Sequence, residues 1–210
     1  MKKILLILLA VCFMAPVYAQ NYDKQIAKAQ KKELKEKMKE YKKAGFNIMG
    51  SRTMEVALSK HYGKLAQLGD DGLVFDGIST RTKSKNIGEQ MAINNATIKY
   101  AQKAGSTVKG RIVSDGFANG TDEEGEFDKF YQAYERLVET KIKNVMQPSY
   151  SIIKTYEDGT HEIQAFFIVD ENVARRARQA ALESALEDTN LATKYGEKIS
   201  EFVNAAISAD

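Results

Sequence analysis

Cysteine and proline are almost absent from this 210-residue chain, which contains one cysteine and two prolines. The cysteine, Cys12, lies inside an apolar N-terminal run, so a chain that lost this run would have no thiol and no disulfide. Packing alone would then stabilise the fold, and a catalytic cysteine would be excluded. Because the prolines are only Pro16 and Pro148 and no segment is low in complexity, the sequence predicts no long linker.

Histidine is also scarce, since His61 and His161 are the only two and lie far apart in the sequence. A zinc site needs three or four ligands, mostly Cys or His, so the sequence predicts no such site. The chain has no Gly-x-Ser-x-Gly motif either, which leaves nucleophilic catalysis without support. We therefore expect no cofactor and no catalytic residue.

The chain lacks a strong excess of charge of one sign and, after its N-terminus, any long apolar run. Its formal net charge is +3, and loss of Lys2 and Lys3 with a leader would lower it to +1. A balance so close to zero argues against nucleic acid as a partner. The apolar runs are shorter than the roughly 18 residues that a membrane span needs, so we expect no internal span.

The N-terminus has the features of an export signal. A basic start precedes the short apolar run Ile4–Met14, and Val17–Ala19 supplies small side chains before a cut. We expect removal of residues 1–19 and a location in the periplasm, at the outer membrane or outside the cell. Lipidation at Cys12 is an alternative, because the residues before it loosely resemble a bacterial lipidation box.

The rest of the sequence alternates between helical and strand patterns, which predicts an α+β fold. Residues 20–72 should form a helical N-terminal extension, and residues 73–210 should form one α+β domain. In that domain we expect a small antiparallel or mixed sheet packed against several helices. Its strands are predicted near residues 73–82, 106–114, 150–156 and 160–169.

Apolar and aromatic residues recur most regularly in residues 126–169, where their spacing predicts an amphipathic helix followed by a β-hairpin. Apolar and aromatic side chains recur every three or four residues in the helix, for example from Phe127 to Tyr134. The turn Asp158-Gly159 then joins two strands. We expect the helix to lie with this stripe across the apolar face of the second strand and so to form the core.

Residues from about Ser84 to Ala185 also resemble a known family. A helix with Gly88–Gln90 and spaced alanines is followed by the aromatic helix, the strand Ser151–Tyr156 and the turn Glu157–Thr160. This order is similar to that of the Lpp-twenty family of small bacterial envelope lipoproteins, and to the N-terminal domain of a flagellar outer-membrane accessory protein. The resemblance implies an exported α+β module without known catalysis. A lipid anchor does not follow from it, because the sequence lacks the family's convincing N-terminal cysteine.

The acidic loop before the aromatic helix is the sharpest candidate for a metal site. Side-chain oxygens fall at five positions of a calcium-binding loop: Asp115, Asn119, Thr121, Glu123 and Glu126. Position 3 of the loop, however, holds Phe117, which offers no side-chain oxygen. The simpler interpretation is a solvated loop, in which the acidic side chains stabilise the N-terminus of the next helix.

Basic side chains form three clusters that could bind an anionic surface polymer or lipid headgroups. These candidates are Lys31, Lys35 and Lys39 in the first helix, Arg81 and Lys83 in the basic tail of a strand, and Arg175, Arg176 and Arg178, which should point outward from a later helix. The first helix could also contact a membrane peripherally. In each case an ordinary solvated surface is the alternative interpretation.

Two functions remain open at this point. One is a non-enzymatic envelope or secreted module that binds an envelope protein or an anionic surface polymer. The other is a hydrolase that acts on cell-wall or extracellular material. A deep cleft with two acids, or with one acid and a histidine, would favour the hydrolase, whereas a shallow exposed apolar groove would favour the binding module.

Overall fold

The computed structural model describes residues 28, 31–114, 124–187, 189 and 191–204. These residues form an α+β fold, as the sequence predicts. The chain divides into two compact units, Met1–Ala44 and Gly45–Asp210. In the first unit, residues 31–43 form helix α1. Two ion pairs lie on it: the Lys32 ammonium is 3.8 Å from the Glu36 carboxylate, and the Lys37 ammonium is 3.0 Å from the Glu40 carboxylate.

The described part of the second unit contains four strands and five α-helices. In chain order they are β1 (Asn47–Ile48), α2 (Met54–Leu68), β2 (Gly72–Thr82), α3 (Lys85–Ser114), α4 (Glu124–Ile142), β3 (Gln147–Thr155), β4 (His161–Asp170), α5 (Glu171–Glu187) and α6 (Leu191–Asn204). A single turn of 3-10 helix, Gly69–Asp71, connects α2 to β2. Among the described residues, no helix has both the length and the apolar composition that a membrane crossing requires.

The four strands form one antiparallel sheet in the order β1-β3-β4-β2. The predicted hairpin between β3 and β4 is confirmed. At its turn, Gly159 adopts a φ of 76°, and the backbone N–H of Thr160 donates to the Asp158 carboxylate at 3.0 Å. A left-handed backbone of this kind explains why glycine follows the aspartate.

Helices α2 and α3 pack on opposite faces of the sheet. On one face, Gly77 of β2 lies so close to α3 that a β-carbon built on it would be 1.9 Å from the carbonyl oxygen of Ala92. On the other face, the His61 ring of α2 packs edge-on against Tyr150 with ring centres 5.1 Å apart, and Tyr150 stacks on Phe166. Helices therefore pack on both faces of the sheet, and β1 and β2 are its two outer strands.

The aromatic helix α4 does not lie across the hairpin, which corrects the expectation from the sequence. Its rings are buried, with Phe127 and Phe130 at most 1% exposed, but α4 packs chiefly on α3 and α5. Helix α3 occupies the face of the sheet instead, because Ala92 and Ala96 allow close approach. The aromatic stripe thus forms a second layer of the same apolar core.

The strand expected at residues 106–114 is also wrong, because these residues continue α3 to Ser114. Val108 and Ile112 are both buried, and their spacing of four residues fits a helix as well as a strand face. Gly105 lies inside this helix. Its missing β-carbon makes room for Glu135 of α4, whose Cγ would lie 3.0 Å from a β-carbon at that position.

The sheet unit begins earlier than the expected boundary between residues 72 and 73. Strand β1 pairs with β3, and α2 packs against the sheet, so both belong to the unit that starts at Gly45. A two-residue strand leaves almost no period-2 pattern in the sequence, so its pairing with β3 could not be predicted from the sequence.

Candidate functional site

The predicted basic side chains differ in their exposure and in their partners in the structure. Lys31, Lys35 and Lys39 are exposed on α1, four residues apart. Lys83 is also exposed, but Arg81 is held in place. Its guanidinium lies 4.0 Å from the centre of the Tyr156 ring and forms an ion pair of 3.1 Å with Asp158.

The arginines of α5 do not all point outward as expected. Arg176 is exposed and Arg175 is half-buried, but Arg178 is only 1% exposed and forms a buried ion pair with Glu171. Arg178 therefore cannot bind a surface polymer, and its role is in the interior.

The acidic loop proposed for calcium lies almost entirely outside the described residues, namely at Asp115, Asn119, Thr121 and Glu123. Its last member, Glu126, is described and forms an ion pair of 2.8 Å with Lys129 on α4. Elsewhere in the described chain, no group of three histidine or acidic side chains is arranged to hold a metal ion.

A groove of about 580 Å³ runs between β2 and α3 on the outer side of the sheet. Its lining residues are Gly72, Val74, Phe75 and Asp76 from β2, and Lys99, Lys103 and Ser106 from α3. The side chains of Val74 and Ile78 on this strand are about two-fifths exposed, at 39% and 40%. The groove therefore combines apolar surface with lysines and one aspartate.

Strand β2 presents backbone hydrogen-bonding groups toward this groove. The Asn95 side chain donates to the Ile78 carbonyl oxygen at 2.8 Å, so the backbone of Ile78 faces away from β4. Because backbone groups of a strand alternate in direction, those of Val74 and Asp76 face the same way. In the described part of the chain no strand pairs with this edge.

The charged side chains beside the edge already interact with each other. Lys99 of α3 reaches Asp76 of β2 at 2.6 Å, while its side chain remains 59% exposed. Together with Asn95, this contact partly covers the edge with polar groups. Such coverage is common at sheet edges, where it limits uncontrolled strand pairing.

A smaller depression of about 270 Å³ lies near His61, between the β1–α2 connection and β3. Ser149, which occupies a bulge in β3, shares a hydrogen bond of 2.8 Å with Nδ1 of His61 and also lines the depression. Among the described residues that line it, none is acidic and Arg52 is the only charged one. Burial lowers the pKa of His61 to about 4, which keeps the ring neutral at pH 7.

The buried His61 should make the fold sensitive to acid. Its pKa is lower in the folded chain than the ordinary value of 6.5, so stability is complete above pH 6.5 and falls as the pH drops toward 4. The shift corresponds to a loss of about 3 kcal/mol in the free energy of unfolding between pH 7.5 and pH 4. Urea unfolding at both pH values should show that His61→Gln removes this part of the loss.

His161→Gln is the matched control, because His161 is half-buried at the start of β4 and forms a hydrogen bond with Thr155. It should retain the acid sensitivity of the parent protein. An equal loss of stability in the parent and in His61→Gln would contradict the assignment.

Sequence reasoning did not identify the groove residues Val74, Asp76, Lys99 and Lys103. A strand pattern covers residues 73–82, but no local signal tells an outer strand from a central one. Comparison of the chain with protein-family models, with curated proteins and with solved structures gives no match. The expected kinship with the Lpp-twenty family therefore stays a prediction.

Proposed function

We propose that this chain is an exported, non-enzymatic module of the cell envelope that binds a protein partner along the outer edge of β2. The observation that carries the proposal is the coincidence of a groove of about 580 Å³ with a strand edge whose backbone faces it. A partner segment can add a strand to such an edge, so that main-chain hydrogen bonds supply affinity.

The exposed apolar side chains of β2 favour the same function. A partner that covered Val74 and Ile78 would gain about 1 kcal/mol from each, since roughly two-fifths of each side chain is still in contact with water. Exposed apolar surface beside backbone donors and acceptors is typical of an interaction site. The export signal and the resemblance to envelope lipoproteins support a place in the envelope.

A hydrolase has less support from the same geometry. A catalytic histidine would need an acid or a nucleophile that substrate can reach, together with groups that stabilise the developing charge. His61 is 5% exposed, and no acid is present among the described residues that line the depression near it. The groove beside β2 contains one carboxylate, Asp76, which is paired with Lys99.

Site-specific photo-crosslinking in the native cell tests the proposal. A benzoylphenylalanine at Val74 should form an adduct with an envelope protein, because this position lines the groove. The matched control is the same residue at Val56 on α2, where the valine is 44% exposed. An adduct from Val74 well above that from Val56 is expected. Absence of a Val74 adduct, or equal adducts from both positions, would contradict the proposal.

A further inference from the structure

We propose that the depression near His61 binds a small carboxylate, namely a molecule in which one carboxylate group is attached to a short apolar body. The site is independent of the proposed function, because the described residues that line it differ from those that line the groove beside β2. Its chemistry follows from an unpaired arginine, a serine held by a buried histidine, and an apolar wall.

The positive charge of the site comes from Arg52. This residue is exposed, it lines the depression, and within the described chain no acid forms an ion pair with it. Its guanidinium is therefore free to turn over the opening without breaking another contact. The N–H groups of a guanidinium match the two oxygens of a carboxylate, so Arg52 suits a singly charged anion.

The hydroxyl of Ser149 provides a second polar group, and His61 holds it in place. A hydrogen bond of 2.8 Å joins Oγ of Ser149 to Nδ1 of His61, whose side chain is only 5% exposed. A neutral imidazole has a single N–H. When that proton is on Nδ1, the ring donates to Oγ and the hydroxyl proton is left for an acceptor in the depression. A bound carboxylate therefore favours this tautomer and accepts a second hydrogen bond.

The rest of the lining is largely apolar and limits the size of the ligand. The apolar side chains are those of Ile48, Met49, Ala57 and Tyr150. The volume of about 270 Å³ equals that of about nine water molecules at roughly 30 Å³ each. A short branched hydrocarbon body fits this space and displaces water from the apolar wall, which adds to the affinity.

The same lining disfavours ligands with other charges. An amino acid carries an ammonium group beside its carboxylate, and none of the described lining residues is acidic. A phosphate dianion brings two negative charges, whereas Arg52 is the only charged residue of the described lining. A charge that leaves water without a partner costs free energy. The site should therefore discriminate against both classes of ligand.

The test titrates isocaproate into the full mature chain and follows binding by NMR. Isocaproate should bind saturably at millimolar concentrations and shift the Ser149 amide signal and the His61 ring signals. Isocaproamide has the same shape without the charge and should bind at least about tenfold more weakly. Leucine, which adds an ammonium group, should also bind at least about tenfold more weakly. Inorganic phosphate should not displace isocaproate.

Variants locate the binding in the depression. R52Q should weaken isocaproate binding about tenfold or more, because it removes the guanidinium. S149A should weaken it by about threefold to tenfold through the loss of one hydrogen bond. The matched control is R176Q, which makes the same change in net charge at an exposed arginine of α5 outside the depression. This control should leave the affinity unchanged, and circular dichroism checks that all three variants are folded.

Several outcomes would overturn the site. Absence of saturable isocaproate binding, or equal affinity for isocaproate and isocaproamide, would do so. Equal weakening by R52Q and R176Q would also overturn it, because the effect would then come from net charge alone. Displacement by phosphate, or tighter binding of an N-acetylated peptide with a free C-terminal leucine, would assign the depression to another ligand. Adducts from Val74 test the proposed function separately.

Discussion

Replacing Arg178 with methionine should lower the free energy of unfolding by about 3–5 kcal/mol, because it removes one partner of a buried ion pair. Arg178 and Glu171 are 1% and 2% exposed, and two hydrogen bonds of 3.0 and 2.5 Å join the guanidinium to the carboxylate. A further guanidinium N–H donates to the Tyr100 hydroxyl oxygen at 2.5 Å. The variant therefore leaves a carboxylate in the interior without its guanidinium.

Arg178 stays charged and Tyr100 stays neutral around pH 7. Burial by itself would lower the pKa of Arg178, but the hydrogen bonds from the guanidinium to Glu171 and Tyr100, and their charges, raise it above its usual value. Burial raises the pKa of Tyr100 to about 12, against the opposing effect of Arg178. The loss in the free energy of unfolding caused by Arg178→Met should consequently be the same at pH 7 and pH 8.

Urea unfolding followed by circular dichroism measures this loss. The double variant E171M/R178M should recover most of the stability, because apolar side chains of similar volume often replace a buried ion pair without cost. R176M is the control on the same helix, at an exposed position, and should stay within about 0.5 kcal/mol of the parent. A loss below about 1 kcal/mol in R178M would show that the pair does not hold α5 in place.

The burial of Arg178 could have been predicted from its position in the sequence, although its charge argued for exposure. On α5 the buried alanines Ala174, Ala181 and Ala185 define one stripe, and Arg178 falls on that stripe at helical spacing. An arginine on an apolar stripe is expected to find a buried acid, and Glu171 lies seven residues before it on the same face. The spacing was therefore more informative than the residue type.

Elements with local start and stop signals could be predicted from the sequence. The Asp158-Gly159 turn identifies the hairpin because it needs glycine at a positive φ. Asp170 identifies the start of α5, since its carboxylate accepts from the backbone N–H of Asn172 at 3.0 Å. These signals depend mainly on neighbouring residues, and in both cases the tertiary contacts agree with them.

Features set by tertiary contacts could not be predicted in this way. Residues 106–114 carry β-branched side chains, yet they extend α3 because the second half of that helix packs against α4. The groove beside β2 depends on which strand ends the sheet, and that order includes the two-residue strand β1. Neither property is encoded in a window of neighbouring residues.

The contact between β2 and α3 predicts the second large effect, at Gly77. An added β-carbon would lie 1.9 Å from the carbonyl oxygen of Ala92 and 2.4 Å from the amide nitrogen of Ala96. Both atoms belong to the backbone, so no change of side-chain rotamer can relieve the clash, and the helix must move away from the strand. Gly77→Ala should cost about 3–5 kcal/mol, at the upper end of what overpacking costs.

Gly110→Ala provides the control on the same helix, because an added β-carbon there meets no atom within 4 Å. It should leave stability unchanged or raise it by up to about 1 kcal/mol, since alanine favours a helix interior over glycine. Urea unfolding of both variants at pH 7.5 gives the comparison. A loss of less than about 1 kcal/mol in Gly77→Ala would mean that β2 and α3 are farther apart than described. The groove that these two elements form would then have a different shape, so the same measurement also tests the geometry on which the proposed partner site depends.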